Sequence, residues 1–119
     1  MAGEGGGGIR DLLLTVIDEA ALKERAKLGQ GLVVAAVALE RSTGRILSGP
    51  LLYGRGITAD EARSLETGLA VVQADFAEAT AGLRGDDAHV REQLVGAVRR
   101  LFKAHGHRRP HVLPAVLKL

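Results

Sequence analysis

Hydrophobic positions along this chain fall into blocks of different period, and the periods predict the elements. Leu32 to Leu39 (LVVAAVAL) is apolar throughout. Too short for most helices, rich in valine and preceded by Gly29 and Gly31, it predicts a buried central strand with both faces covered. Arg41-Ser42-Thr43-Gly44 is a turn sequence, and Arg45 to Leu52 returns as an antiparallel partner, completing a hairpin. Gly49-Pro50 bends that second strand or places it at an edge. Thr58-Ala59-Asp60-Glu61 has the form of a capping box, with a hydroxyl at the N-cap and a carboxylate three residues on. The helix it opens carries Leu65, Leu69, Val72 and Phe76 in one stripe, and Gly82 to Gly85 ends it. Asp86 and Asp87 begin another helix, whose inner face is Val90, Leu94, Ala97, Val98, Leu101 and Phe102. His105-Gly106 closes it, with glycine where a left-handed residue is wanted. His111 to Leu119 reads as a third strand, and Pro114, which has no N–H to donate, assigns it to an edge or a bulge.

The first part of the chain is less decisive. Ile9 to Ile17 (IRDLLLTVI) is apolar without a clear period, so strand and helix both fit. Asp18 to Leu28 reads as a short helix capped by Asp18 and stopped by Gly29-Gln30-Gly31. Met1 to Gly8 is a glycine run expected to be a flexible linker, with no apolar core of the signal-peptide kind. The expected fold is therefore α+β: a two-layer sandwich in which two helices cover one face of a three-stranded sheet, in the order β-β-α-α-β after a short helix. Residues 1–17 are expected to be a linker or interdomain segment and residues 18–119 the folded domain. The other face of Leu32 to Leu39 then needs either a partner or the segment Ile9–Ile17 to cover it.

Composition narrows the class without changing that picture. A chain of 119 residues with 46% hydrophobic and 25% charged residues fits one soluble domain large enough for a core. Aromatics are 3%, so the core is aliphatic. The absence of cysteine excludes disulfides, thiolate zinc sites and a cysteine nucleophile, and fits a reducing cytoplasm. No apolar run approaches the ~20 residues needed to cross a bilayer, so no membrane partner is expected.

Charge is unevenly placed. Residues 1–83 carry 8 Lys/Arg against 11 Asp/Glu, whereas residues 84–119 carry 8 against 3 and all four histidines. A basic final third fits an anionic partner such as RNA, although charge alone favours the plainer reading of a solvated helix face. The candidate contacts are Arg91, Arg99, Arg100 and Lys103 on the last helix, with Arg108 and Arg109 in the loop after it. No exposed aromatic pair is available to stack bases. Arg108 and Arg109 have a competing role, capping carbonyls or pairing with acids inside the domain. His105-Gly106-His107 matches the first residues of a His-x-His-x-Asp-His metal motif, but Arg108, Arg109 and Pro110 follow where that motif needs a carboxylate and another imidazole. After Glu92 no acidic residue occurs, so no metal site and no catalytic set is expected in this chain. Gly54-Arg55-Gly56 lacks the spacing and lysine of a phosphate-binding loop and reads as a turn.

Several segments, in order, resemble the C-terminal domain of ribonuclease J. His107-Arg108-Arg109-Pro110-His111-Val112-Leu113-Pro114, with the apolar Ala115-Val116-Leu117 after it, is similar to that family's closing Arg-Arg-Pro signature, in which Arg108, Arg109, Pro110, Leu113 and Pro114 are the matching positions. Val90-Arg91-Glu92-Gln93-Leu94 and Arg99-Arg100-Leu101-Phe102 resemble its final helix, Leu32–Leu39 its valine-rich strand, and Gly49-Pro50 with Arg55-Gly56 its Gly-Pro…Arg-Gly segment. Leu22-Lys23-Glu24-Arg25 resembles the stretch that introduces the domain. The chain departs from the pattern at His111, where methionine is usual. The resemblance implies a non-catalytic domain of a metallo-β-lactamase/β-CASP ribonuclease that degrades RNA endonucleolytically and from the 5′ end in the cytoplasm. The two zinc ions of such an enzyme belong to its catalytic domain, so no cofactor is expected here. The implied partners are the parent's remaining domains and a second copy in oligomer assembly, with RNA contact through the basic helix as the alternative.

Overall fold

The computed structural model describes residues 4–23, 31–81 and 86–119. Among them the chain forms α1 (Glu4–Lys23), β1 (Leu32–Leu39), β2 (Ile46–Arg55), α2 (Ala59–Thr67), α3 (Leu69–Ala79), α4 (Asp87–Ala104) and β3 (His111–Lys118). The sheet order is β2-β1-β3, with β2 antiparallel and β3 parallel to the central strand.

All eight residues of β1 are buried, and the alternation of side chains across a strand divides them between two cores. Val33, Ala35, Val37 and Leu39 face Leu65, Val72, Phe76, Leu94, Val98 and Phe102 from α2, α3 and α4. Leu32, Val34, Ala36 and Ala38 face Leu13, Ile17 and Ala21 of α1. The molecule is thus an α+β sandwich whose three-stranded sheet has helices on both sides.

β2 runs three residues past the expected end at Leu52, and two helical segments differ from the sequence-based expectation. Asp18 does not begin a short helix: it lies within α1, which runs continuously through Ile9–Ile17. Leu13, Ile17 and Ala21 recur every four residues and bury one face, which resolves the ambiguous segment as helix. This helix supplies the cover that the second face of β1 requires. The expected stop at Gly29-Gln30 lies outside the described residues. The single helix expected after Thr58 is instead two, α2 and α3, divided at Gly68. A Cβ at Gly68 would stand 2.5 Å from Leu101 Cδ1 and 2.7 Å from the Ser64 carbonyl, so the break is where the chain presses closest on α4. Its expected end at Gly82–Gly85 also lies outside the described residues.

The capping box is present as read. Thr58 Oγ1 accepts from the Glu61 N–H at 3.1 Å, and Glu61 Oε1 accepts from the Thr58 N–H at 2.8 Å. Asp86 caps α4 through the His89 N–H at 3.2 Å, and all six residues expected on the inner face of α4 are buried. Register slips in the β1–β2 ladder between Ala36 and Leu39, opposite the Gly49-Pro50 step.

Both outer strands carry a proline. The Pro50 carbonyl accepts from Gln73 Nε2 of α3 at 3.1 Å, and the Pro114 carbonyl accepts from Arg91 of α4 at 3.4 Å. A missing N–H and an occupied carbonyl on each edge oppose strand addition.

Candidate functional site: the basic helix and the Arg-Arg-Pro loop

The loop that follows α4 owes its path to the helix end. Gly106 has φ +73°, its N–H donates to the Lys103 carbonyl at 3.1 Å, and the His107 N–H donates to the Phe102 carbonyl at 2.9 Å. This is the Schellman arrangement, which satisfies the last carbonyls and reverses the chain. Residues 107–110 then cross beside α2. There His107 Nε2 is 2.9 Å from Ser64 Oγ, and Arg108 Nε donates to Glu61 Oε2 at 3.2 Å. Phe102 meets the His107 ring edge-on at 5.4 Å, and His105 stacks on His107 at 6.0 Å. Two side-chain bonds and a ring contact therefore clasp the Arg-Arg-Pro loop to α2 and α4. Pro110 is buried, and Val112 enters the core as β3 begins.

Glu61 is the pivot of the clasp. It is 3% exposed, and its two oxygens do separate work: one closes the capping box, the other holds Arg108. Burial alone would raise its pKa, but the Thr58 N–H, the Arg108 guanidinium and the Thr58 hydroxyl together outweigh it, and the carboxyl is held below the ordinary glutamate value. The sign of the linkage follows. A depressed folded pKa contributes stability above the unfolded-chain value, and that contribution is lost as pH falls through the folded one. Wild-type stability in urea is expected to fall between pH 7 and pH 3, and Glu61→Gln is expected to flatten that fall while lowering stability at pH 7. Equal pH slopes in the two proteins would show that Glu61 carries none of the acid sensitivity.

The six basic residues nominated from sequence are placed very differently. Arg100 makes a two-pronged pair with Asp75, Nε to Oδ2 at 2.8 Å and Nη2 to Oδ1 at 3.0 Å, and the hydrogen bond raises its pKa. Arg108 is paired with Glu61, and Arg91 reaches the Pro114 carbonyl. Arg99 is half-buried, and its Nε is shielded from solvent without an acceptor. Burial, then the charge of Arg109, lower the pKa of Arg99. Lys103 and Arg109 are exposed. Leu113 packs on the α1 side of the sheet, and Pro114 stands opposite Ala35. At the far end of β3, Lys118 Nζ binds Asp87 Oδ1 at 2.5 Å, tying the strand to the start of α4.

Sequence reasoning did not find Ser64 or Asp75. Ser64 had a signal: it follows Glu61 by three residues and precedes buried Leu65, so a hydroxyl falls on the inner face of an amphipathic helix. Among the described residues, no group of three or more His, Asp or Glu is arranged to hold a metal ion. Gly54 and Arg55 are not a turn but the end of β2, paired with Val33 and Leu32, and the chain bends only at Gly56; an Arg55 Nη1 donates to the Ala21 carbonyl of α1, and Asp60 and Glu61 occupy the first turn of the helix that follows. Among the described residues, no helix is long and apolar enough to cross a membrane.

Comparison with known proteins yields one family and no curated relative. The ribonuclease J C-terminal domain matches residues 20–119, which takes in every strand, α2 to α4, the clasped loop and the last turn of α1. By that match, over most of its length and in the segments that build this sheet and loop, the chain belongs to the ribonuclease J C-terminal domain family.

Proposed function

We propose that this chain is a non-catalytic support domain of a ribonuclease J-like enzyme, acting in the cytoplasm to promote oligomer assembly and hence RNA processing and decay by the parent. The observation that carries this reading is the use made of the signature loop. Its histidine and first arginine are spent on Ser64 and Glu61, inside the domain, rather than turned toward a substrate. A loop committed to internal bonds is a structural element, and the parent's phosphodiester chemistry with its two zinc ions then belongs to other domains. For assembly, both sheet edges are blocked, which leaves the outward side of α1. Leu12, Leu14 and Leu22 are 47%, 44% and 69% exposed there. Val16, Ala20, Leu113 and Pro114, together with Glu19 and Lys23, line a groove of about 370 Å³ between α1 and β3, and Leu12 extends its Val16–Ala20 row by one turn.

Sedimentation of the 119-residue chain is expected to show a concentration-dependent dimer or larger species, and Leu12→Glu with Leu14→Glu is expected to return it to monomer. A strict monomer at several hundred micromolar, for chain and parent alike, would end the assembly reading. A second reading, auxiliary contact with RNA, is favoured by Arg99, Lys103 and Arg109, none of which is matched by an acid among the described residues. Binding to single-stranded RNA that weakens steeply with salt would support it.

A further inference from the structure

The arginines of α4 and its following loop divide into two sets, and the division identifies a site. Arg91, Arg100 and Arg108 each have an acceptor within the fold: a carbonyl, the Asp75 carboxylate and the Glu61 carboxylate. Arg99 and Arg109 have no such acceptor among the described residues, and Arg109 lies near enough to Arg99 to depress its pKa. Two guanidinium groups of like charge brought together without an anion oppose each other, and the cost rises when one of them is partly desolvated. Arg99 is in that position, since its Nε is shielded from solvent and donates to nothing. Lys103 follows Arg99 by one helical turn and lies on the same face, adding a third, exposed positive charge. No Asp or Glu occurs in sequence after Glu92 to offset them.

We propose that Arg99 and Arg109, with Lys103 beside them, form a seat for one phosphoryl oxyanion. This deepens the second of the two readings above and rests on it, naming the contact rather than a general basic surface. The number of acceptors distinguishes the ligand class. A carboxylate offers two oxygens and is matched by a single guanidinium fork, as Asp75 is by Arg100. A phosphoryl group presents several oxygens around a tetrahedral centre, enough to accept from two forks and an ammonium together. The phosphoryl group comes either from the backbone of a single-stranded RNA or from a terminal or free phosphate, and the two sources share this chemistry. The clasp ties down the backbone on either side of Arg109, with Arg108 bonded to Glu61 and Pro110 buried.

The test uses the whole chain labelled with ¹⁵N, so that the Arg99 Nε–H resonance is observed directly. Titration with inorganic phosphate at low salt is expected to shift that resonance, leaving the Arg100 Nε–H, already bonded to Asp75, in place. In parallel, fluorescence anisotropy measures binding of a single-stranded oligoribonucleotide carrying either a 5′-hydroxyl or a 5′-phosphate. Arg109→Gln and Arg99→Lys are each expected to weaken the preferred ligand about tenfold, the effect of removing one charge-assisted hydrogen bond. Arg109→Gln, which removes a charge, is also expected to reduce the salt slope of the RNA affinity by about 0.7, the value for one phosphate contact to a single strand, whereas Arg99→Lys leaves the slope unchanged. Arg99→Lys retains charge and stem, so it tests the fork without risking the fold, and exposed Arg109 tests the seat independently. Equal binding of both RNA ends supports a backbone source; a requirement for the 5′-phosphate, or a response to inorganic phosphate alone, supports the terminal or free source. RNA binding that survives both substitutions, or falls equally with Arg100→Gln, overturns the seat while sparing the RNA reading. No RNA binding and no shift of the Arg99 resonance overturns both.

Discussion

Replacing Phe102 by alanine is expected to destabilise the domain by about 3–5 kcal/mol, the range for truncating a buried aromatic side chain. That is a large part of the roughly 5–15 kcal/mol that holds a typical domain folded, so the variant should approach the unfolding threshold at physiological temperature. The magnitude follows from position. Phe102 is 1% exposed in the core under β1, among Phe76, Leu94 and Val98, and its ring edge also meets His107. The interior is close-packed, so its neighbours relax only partly into the space left behind. The loss should therefore exceed the transfer free energy of the ring alone. A secondary effect is expected at the clasp: without the Phe102 ring beside it, His107 is held less firmly toward Ser64. Urea unfolding of Phe102→Ala, with Val71→Ala as a control at a position 61% exposed, measures the first effect. A loss below about 0.5 kcal/mol, within the range of an ordinary surface change, would mean that α4 is not seated on the sheet as described.

How much of this arrangement the sequence disclosed depends on the range of the interaction. Strand β1 was legible because an apolar run flanked by glycine has few alternatives, and Thr58, Asp86, Gly106 and Pro114 announced two helix starts, a helix end and an edge through purely local chemistry. What β1 could not disclose was which residues face which core, since alternation is invisible when every position is apolar. The break at Gly68 was hidden because Leu65, Val72 and Phe76 keep a helical stripe across it. Its cause, the close approach of Leu101 on α4, lies far along the chain. The site was less legible still. Arg108 pairs with Glu61 at a separation of 47 residues, and Arg100 with Asp75 at 25. Glu61 had a local account as the carboxylate of the capping box, and nothing near Asp75 in sequence points to a partner. Charge counting therefore nominated six basic residues as a set, and only the fold sorts them into paired and unpaired. Of the two roles open to Arg108, pairing with an acid inside the domain is the one the geometry realises.

Replacing Leu13 by alanine is expected to cost about 2–5 kcal/mol, and by aspartate more, because an unpaired carboxylate would then face a dry apolar layer. The prediction tests whether α1 belongs to the cooperative unit. The family match begins only at residue 20, whereas Leu13 and Ile17 are buried against Val34, Ala36 and Ala38 on the second face of the sheet. Fully apolar on both faces, β1 cannot leave one of them in water without exposing a continuous apolar patch. If α1 is that face's cover, Leu13→Asp and removal of residues 1–17 should both lower the unfolding midpoint, and Val71→Asp, at a position 61% exposed on α3, should not. If instead a second copy covers the face when α1 is gone, the truncated chain should remain folded. Its midpoint should then rise with protein concentration, since association with the folded state alone stabilises by mass action. A truncated chain that stays monomeric and keeps its full stability at every concentration would contradict both outcomes. It would also mean that the apolar face of β1 tolerates water, which the burial of all eight of its residues does not allow.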